Sequence, residues 1–327
     1  MLIKLVAAFL ISLIISVCVA LMLIPRLRRL KAGQTIREDG PVWHSGKQGT
    51  PMMGGIIFIA GTIVASITVG FKELLNGELS HIYVLLVGTV FALIGFLDDY
   101  TKLVKKRNLG LTAKRKLLLQ IIVAAGFVIL MRLTGKMTEE LYIPFVNTIV
   151  YIPEPIYSVF AVFVAVGTVN AVNITDGIDG LATGVTIPVA ICFAFIAIVY
   201  KSFSLTVLAL SLTGALVAFL FFNFHPAKIF MGDTGSLFLG GVVFALSYAL
   251  DIPLILIPLG VIYIIETLSD IMQVAYYKLT KGKRIFKMAP FHHHLEMCGW
   301  SEYKLFAVFT SVSAVFAVIS YLGAASR

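Results

Sequence analysis

Charge and cysteine are both scarce in this sequence of 327 residues. Only 13% of the residues are Asp, Glu, Lys or Arg, whereas 59% are hydrophobic and the mean hydropathy is +0.97. A soluble domain cannot cover that much apolar surface, so a soluble globular protein is excluded. The three cysteines, Cys18, Cys192 and Cys298, are spaced for neither a disulfide framework nor a zinc site.

Long apolar runs make up most of the chain. Each run has about 20 residues, the length that an α-helix needs to cross roughly 30 Å of hydrocarbon. The pattern predicts an all-α integral membrane protein with about ten transmembrane helices, organised as a single polytopic membrane domain over residues 1–327. The predicted spans are residues 3–25, 52–71, 81–97, 114–133, 156–173, 181–200, 205–222, 235–250, 252–277 and 304–324.

Basic residues predict the orientation of these helices. Most of the 26 lysines and arginines lie in the loops that follow the first, third, seventh and ninth predicted spans. The positive-inside rule makes these loops cytoplasmic and places both termini on the extracytoplasmic side. The net charge of +9 is therefore mainly a signal of topology, and no nucleic-acid partner is expected. On the outer side, a short hairpin is predicted at about residues 138–153.

Polar residues interrupt the apolar runs at four places, and all four fall on the predicted cytoplasmic side. Because basic residues alone assign the orientation, this shared side is independent support for a single active site. The chemistry of the groups indicates phosphates and a divalent metal. The four sets are Asp98-Asp99, the run Asn170/Asn173/Asp176/Asp179, Asp233 in Met-Gly-Asp-Thr-Gly-Ser, and His292-His293-His294.

The acidic residues at helix ends have both an ordinary and a functional interpretation. Asp98 and Asp99 end the third predicted span, where acids oppose the helix macrodipole, so Mg²⁺ or Lys102 is expected to offset them. One carboxylate of such a pair can act as a base while the other holds charge or metal. Asp233 is either a plain helix N-cap or a ligand that holds Mg²⁺ against a diphosphate.

The run from Asn170 to Asp179 places a polar group at every third residue. Its first half can line one face at the end of the fifth predicted span, and Gly177 then lets the backbone approach a ligand closely. Asp176 is also explained as a turn residue and Asp179 as an N-cap. Four carboxamide and carboxylate groups together favour binding of a metal, a sugar or a nucleobase edge.

The histidines and two intramembrane acids are further candidates. Three adjacent histidines cannot share one helical face, so in a loop their rings suit phosphate oxygens better than zinc. Glu266 and Asp270 lie one turn apart inside the ninth predicted span, where ionisable groups are functional candidates by default. Lys47 lies in a glycine-rich stretch that suits contact with a ligand, although its charge also serves topology.

Six segments in order along the chain resemble the phospho-N-acetylmuramoyl-pentapeptide-transferases, membrane enzymes of bacterial cell-wall synthesis. The triple histidine separates this family from the related N-acetylglucosamine-phosphate transferases. Met52 departs from the family pattern, which usually has Thr at that position. The matching segments are Arg37-Glu-Asp-Gly-Pro41, Lys47-Gln-Gly-Thr-Pro-Met-Met-Gly-Gly55, Phe96-Leu-Asp-Asp-Tyr100, Asn170 through Ala182, Asn223 through Ser236, and Pro290 through Glu296.

The resemblance implies a reaction and its participants. Phospho-MurNAc-pentapeptide would move from its UDP-linked form to undecaprenyl phosphate, giving lipid I and UMP, at a cytoplasmic active site in the bacterial cell membrane. The implied cofactor is Mg²⁺. The expected partners are UDP-MurNAc-pentapeptide, undecaprenyl phosphate, membrane lipid and a second copy of the chain in a homodimer.

The resemblance also implies roles for individual residues. Catalytic roles fall on Asp98, Asp99, Asp233 and His292, and Asp233 is the implied Mg²⁺ ligand. The implied substrate-binding residues are Lys47, Lys102, Lys114, Asn173, Asp176, Gly177, Ile178, Asp179, Asn223, Phe230, Gln273, His293 and His294, of which Asp176 through Asp179 match the segment that contacts the nucleoside.

Two other functions stay open at this point. One is a different sugar-phosphate transferase of the same superfamily, acting on another UDP-sugar. The other is an ion-coupled transporter or channel, because acids inside the membrane also mark ion paths. A transporter predicts acids through the whole membrane depth, whereas most acids of this chain cluster at one face and no inverted repeat is evident.

Overall fold

The computed structural model describes residues 1–29, 49–105 and 110–327, with the side chain of Lys105 left out. Two sequence features lie outside the described residues. They are Lys47 and the segment Arg37–Pro41.

Thirteen α-helices and one two-stranded hairpin make up the described part of the chain. A single 3₁₀ turn, Pro253–Ile255, precedes α10. The elements are α1 Leu2–Arg29, α2 Gly55–Val69, α3 Phe71–Leu75, α4 Ser80–Lys105, α5 Ala113–Leu133, β1 Glu140–Ile143, β2 Thr148–Tyr151, α6 Glu154–Thr175, α7 Leu181–Val199, α8 Phe203–Asn223, α9 Gly232–Ala249, α10 Leu256–Leu259, α11 Val261–Leu279, α12 Phe291–Glu296 and α13 Glu302–Ala325.

The chain is a multi-pass membrane protein, but fewer helices qualify as spans than the ten predicted. In the described ranges, seven helices are long and apolar enough to cross a membrane, and an eighth is obtained if one bent pair counts as a single span. Two predicted spans form helices that are either too short or not apolar enough to qualify as spans. Helix α2 has only 15 residues, or about 22 Å, and the polar first turn of α9 lowers its hydropathy.

The bent pair is the ninth predicted span. The chain turns by 79° between Pro253–Leu259 and Val261–Leu279, at Gly260. Pro258 lies two residues before this turn, where its missing N–H and its ring stop a regular helix from continuing. Pro258 therefore accounts for the bend in this span, and the piece after the turn, α11, carries Glu266.

Helix α9 lies at the centre of the fold, where it packs against α2, α4 and α6. Nearly all of its residues are buried. Glycines make the close packing possible, because a Cβ at Gly95 of α4 would collide with the backbone of Asp233. A Cβ at Gly240 of α9 would approach the Cα of Val169 in α6 to 2.5 Å. The first turn of α9 is thereby held against the ends of α4 and α6.

The predicted hairpin is confirmed. Strands β1 and β2 pair antiparallel, with Glu140 opposite Tyr151 and Ile143 opposite Thr148. Tyr142 is buried, and its hydroxyl donates to the backbone oxygen of Gly323 at 3.3 Å, which ties the hairpin to the end of α13.

Candidate active site

Three carboxylates from two helices meet at the start of the central helix. Asp98 and Asp99 come from the second half of α4, and Asp233 comes from the first turn of α9. One oxygen of each residue lies within 4.8 Å of the others. We refer to Asp98, Asp99 and Asp233 as the carboxylate cluster. Because so much negative charge is held in a largely buried position, cations must lie close to it.

Two lysines supply that positive charge. The Nζ atom of Lys102 lies 2.6 Å from Asp98 Oδ2, 3.1 Å from Asp233 Oδ2 and 4.0 Å from Asp99 Oδ1. Lys116, from the first turn of α5, lies with its Nζ 2.7 Å from the same Asp233 oxygen. The prediction that Lys102 offsets the acidic pair is confirmed. Lys116 contributes a second cation that the sequence interpretation used only as a topology signal.

Asp99 holds the start of α9 in place. Its Oδ1 accepts a hydrogen bond from the backbone N–H of Asp233 at 3.1 Å, and its Oδ2 accepts from the backbone N–H of Thr234 at 2.9 Å. The Thr234 hydroxyl donates to the same Oδ2 at 2.7 Å. These amides belong to the N-terminal turn of α9, whose N–H groups have no partner within the helix. Asp99 therefore positions Asp233 through the backbone.

Asn173 extends the site onto α6. Its Nδ2 donates to Asp233 Oδ1 at 3.0 Å and to the hydroxyl of Ser236 at 2.7 Å. One turn earlier, Asn170 exchanges hydrogen bonds of 3.3 and 2.8 Å with Gln120 of α5. The prediction that Asn170 and Asn173 share a helical face is confirmed, and only Asn173 contacts the carboxylate cluster.

Asp176 follows the end of α6 and is half-buried. Burial raises the pKa of its carboxyl to about 8, with smaller contributions from the negative charges of Asp233, Asp99 and Asp179. At neutral pH this carboxyl is mostly protonated, and it can then donate as well as accept a hydrogen bond.

The triple histidine forms part of a short helix, α12, instead of the predicted loop. Pro290 precedes it with extended backbone, so the helix begins directly after the proline. The expectation that three adjacent histidines cannot share one helical face is confirmed by their three separate environments. His292 is fully buried, His293 is half-buried, and Nδ1 of His294 accepts from the backbone N–H of Lys287 at 3.1 Å.

Two of these histidines pair with carboxylates. Nδ1 of His292 lies 2.8 Å from Oε2 of Glu266, and Nδ1 of His293 lies 2.6 Å from Oε2 of Glu296. The rings of His292 and His293 are in contact, with their centroids 4.2 Å apart. A Cβ added at Gly177 would collide with Nε2 of His292. The structure therefore brings the histidine segment against the segment Asp176–Ile178, whereas His294 faces the neighbouring loop.

Asp179 points to a different neighbourhood. Its Oδ2 lies 2.9 Å from Nδ1 of His225 and accepts from the backbone N–H of Ala227 at 3.0 Å. The side chain of Glu302 is also close, at 3.5 Å from His225 Nδ1. Asp179, predicted as an N-cap or a nucleoside contact, anchors the connection between α8 and α9 instead of capping α7, whose N-cap is Gly180.

Asn223, Phe230 and Ile178 help to shape the same connection. Asn223 is buried, accepts from the hydroxyl of Thr183 at 2.8 Å and donates to the backbone oxygen of Ile229 at 3.0 Å. Phe230 is half-buried, and its backbone bonds to Pro51 and Gly54. Ile178 is buried. Of these three residues, only Phe230 has a side chain that is not fully buried, so a ligand can reach its ring.

Gln273 bonds to a neighbouring loop, and Lys114 is exposed. The amide of Gln273 is occupied by the loop after α11, because its Oε1 accepts from the N–H groups of Ile285 and Phe286 at 3.0 and 3.1 Å. It also lines a cleft of about 360 Å³ beside Asp270. Lys114 is exposed, and Lys116, two residues further along α5, is the lysine that reaches Asp233.

The sequence interpretation missed Lys116, Gln120 and Glu296 as neighbours of site residues. Spacing offers a signal for one of them: Glu296 lies three residues after His293, so the two share a face once the segment is helical. Lys116 carries no such signal, because it lies within a run of three basic residues and only the rotation of α5 distinguishes them.

The fold and the site together define a membrane phosphotransferase: a multi-pass helical protein with carboxylates, lysines and histidines gathered at helix ends. The comparisons with known proteins make this assignment specific. Residues 81–251 match the model of glycosyl transferase family 4. A phospho-N-acetylmuramoyl-pentapeptide-transferase from Clostridium acetobutylicum is 45% identical over 313 residues, which cover 96% of each chain.

Two further relatives agree with this result. Phospho-N-acetylmuramoyl-pentapeptide-transferases from Bacillus cytotoxicus and Bacillus thuringiensis are each 44% identical, over 315 and 317 residues respectively, and the matches cover 96% of each chain. The chain therefore belongs to the phospho-N-acetylmuramoyl-pentapeptide-transferase family.

Proposed function

We propose that this protein transfers phospho-MurNAc-pentapeptide from UDP-MurNAc-pentapeptide to undecaprenyl phosphate, giving lipid I and UMP. The reaction is a step of peptidoglycan synthesis, and the protein carries it out in the bacterial cell membrane, on the cytoplasmic side. Family membership supports the activity, since the relatives that match along nearly the whole chain carry this activity in their names. A homodimer in the membrane remains a prediction.

One observation supports the placement of the reaction at the carboxylate cluster. Two acids from α4, two lysines from α4 and α5, and Asn173 from α6 converge on Asp233 of α9. These groups are far apart in the chain, and burial of charge in a membrane protein is costly. A role in folding alone therefore does not explain why they meet. Phosphoryl transfer needs this combination, since its catalysis is mainly positioning and charge neutralisation.

The residues present fit a magnesium ion. Mg²⁺ prefers oxygen ligands and is usually held by one or two carboxylates together with substrate phosphates, and three carboxylate oxygens lie within 4.8 Å of one another. Asp99 is engaged with the start of α9, so Asp233 and Asp98 would hold the ion. When bound, Mg²⁺ would neutralise charge on the diphosphate.

In the direct route, an oxygen of the lipid phosphate attacks the phosphorus that bears the sugar. A new P–O bond forms, the bond from that phosphorus to the bridging oxygen of UMP breaks, and UMP leaves with the electron pair. Lys102 and Lys116 would shift from the carboxylates toward the phosphate oxygens and stabilise their charge. Asp98 would accept a proton from the lipid phosphate where one is present, or otherwise repel and orient its oxygens.

A route in two displacements, through a phosphorylated Asp98, is the rival mechanism. Oδ1 of Asp98 accepts from the backbone N–H of Leu111 at 2.6 Å, and Oδ2 is paired with Lys102. The shift of Lys102 toward the phosphate oxygens would free Oδ2, which either route can use. Trapping of a phosphorylated Asp98 during turnover would refute the direct route.

The remaining site residues would bind the donor substrate. Asp176, Gly177, Ile178 and Phe230 would contact the nucleoside, with Lys47, Asn223 and Asp179 supporting that side. His293 would hydrogen-bond with the phosphates, and His292 with a hydroxyl or N–H group of the donor. His294, Gln273 and Lys114 would contribute to the rim of the binding site.

The test is an assay of UMP release by the purified protein with UDP-MurNAc-pentapeptide, undecaprenyl phosphate and Mg²⁺. Asp98→Asn, Asp233→Asn and His292→Ala should each lose most of the activity, and removal of Mg²⁺ with a chelator should abolish it. An assay with UDP-GlcNAc in place of UDP-MurNAc-pentapeptide tests the alternative that the protein transfers a different sugar phosphate. Turnover of UDP-GlcNAc but not of UDP-MurNAc-pentapeptide would replace the proposed substrate.

A further inference from the structure

Glu266 is a fully buried acid in the apolar helix α11, so its carboxylate needs a partner. That partner is His292 of α12. Oε2 of Glu266 lies 2.8 Å from the ring Nδ1 of His292, and the backbone N–H of His292 donates to the two carboxylate oxygens at 3.2 and 3.4 Å. Because one carboxylate contacts both the ring and the backbone of one residue, it fixes the position and the orientation of that ring.

The same contacts favour one arrangement of protons on the ring. An ionised carboxylate can only accept, so the oxygens of Glu266 accept from the backbone N–H of His292, and Oε2 accepts from the ring Nδ1 at 2.8 Å. Nε2 is then the ring nitrogen left for another group. Carboxylates that hold histidines in this way set the tautomer and the direction of the remaining nitrogen.

Nε2 of His292 is buried, and it has no hydrogen-bond partner among the described residues. Buried polar atoms without a partner are uncommon, and each requires an explanation. This one lies against Gly177, an exposed residue whose added Cβ would collide with it. Nε2 therefore lies next to the exposed Gly177, at the turn Asp176–Gly177.

We propose that Glu266 is a positioning residue for the transfer reaction, and that it holds His292 so that Nε2 accepts a hydrogen bond from a hydroxyl or N–H group of the UDP-linked donor at the Asp176–Gly177 turn. The inference rests on the proposed function, because it uses the donor substrate of that reaction. Glu266 itself touches no substrate, since it lies beneath His292 and is fully buried.

The first test is a double-mutant cycle in the UMP-release assay with the full chain. Glu266→Gln should lower kcat about 10- to 100-fold while the KM for UDP-MurNAc-pentapeptide stays within about threefold. His292→Ala should lose at least as much, and the double variant should be no worse than His292→Ala alone, because Glu266 acts through that ring. Losses that multiply in the double variant would overturn the proposal.

Glu154→Gln is the control, because Glu154 is an exposed acid in the first turn of α6, directly after the hairpin. It should leave kcat within about twofold of the wild type, since substitutions at exposed positions away from buried networks have small effects. An equal loss in Glu154→Gln and Glu266→Gln would show a general effect of removing a negative charge and would also overturn the proposal.

A second measurement uses no substrate and no turnover. In protein labelled with ¹⁵N-histidine, the signals of His292 are those lost in the His292→Ala variant, and the wild type should show a proton on Nδ1. Absence of that Nδ1–H signal overturns the proposal, even if Glu266→Gln does not fold. Failure of the wild type to release UMP would instead refute the proposed function, so the two failures are distinguishable.

Discussion

At the scale of single residues, the two lysines of α5 are expected to differ in their importance for catalysis. Lys116 contacts Asp233 at 2.7 Å and Asn173 at 3.5 Å, whereas Lys114 is exposed. We expect Lys116→Met to lower kcat about 10²- to 10³-fold, the usual effect of removing a group that stabilises charge in the transition state. Lys114→Met is the matched control and should cost less than about tenfold. The measurement is UMP release at saturating substrate.

A larger loss of activity in Lys114→Met than in Lys116→Met would contradict this assignment. The resemblance to the family places Lys114 in the cleft, and the structure places Lys116 there. If Lys114→Met loses more activity than Lys116→Met, α5 is rotated in the working enzyme relative to the arrangement described above.

Asp176 makes stability depend on pH. The pKa of its carboxyl is about 8 in the folded protein and 3.8 without the fold, so the native state binds the proton more tightly. Its contribution to stability is present below pH 3.8 and is lost as the pH rises toward 8, with a slope of at most about 1.4 kcal/mol per pH unit. Asp176→Asn lacks this titration.

The melting temperature of the wild type relative to Asp176→Asn should therefore fall from pH 5 to pH 8, and the difference should level off above about pH 8. Scanning fluorimetry of both proteins in the same detergent, without added Mg²⁺, measures it. A difference that does not change over this range would mean that Asp176 is ionised throughout.

At the scale of elements, the two adjacent acids of α4 have different tasks. Asp99 accepts three hydrogen bonds from the start of α9, and the amide nitrogen of an asparagine cannot accept, so Asp99→Asn would leave donors facing each other. We expect a loss of about 1–3 kcal/mol of stability together with lost activity. Asp98→Asn keeps an oxygen for Leu111 and should lose activity without a comparable fall in melting temperature.

Equal melting temperatures for the two variants would contradict this division. Thermal unfolding in detergent and UMP release should be measured on the same preparations. The comparison separates the positioning of Asp233 through the helix start from a direct role in the reaction.

How far the sequence predicts this site depends on the element that carries each residue. Asp98, Asp99 and Asp233 lie where apolar runs end, and hydropathy locates such ends well. The short helix α12 is not evident, because six residues carry too little periodicity and tertiary contact with Glu266 helps to hold it. Lys116 is similarly hidden, because helix rotation cannot be read from a run of adjacent basic residues.

Hydropathy does not show which helices face lipid. Helix α9 is apolar although it lies inside the protein, against α4 and α6. Burial in a protein core and contact with hydrocarbon select the same residues, so composition does not distinguish them. The structure resolves this ambiguity, since nearly every residue of α9 is buried.

At the scale of the whole molecule, the distribution of basic residues predicts that the hairpin and the loop after α11 lie on opposite sides of the membrane. The chain offers a built-in probe: Cys298 is exposed just after α12, and Val146 is exposed at the hairpin turn. A membrane-impermeant thiol reagent applied to intact cells should label a Val146→Cys variant in which Cys298 is replaced by Ser. The protein with Cys298 alone should be labelled only after the membrane is permeabilised.

Cys18 is also exposed, but it lies in the middle of α1, so a Cys18→Ser background removes any signal from that helix. Cys192 is buried and should stay unlabelled in the folded protein. Labelling of Val146→Cys and Cys298 from the same side would refute the orientation. It would also separate the triple histidine from the basic loops on which the cytoplasmic placement of the site depends, because Cys298 lies four residues after His294 on the same short segment.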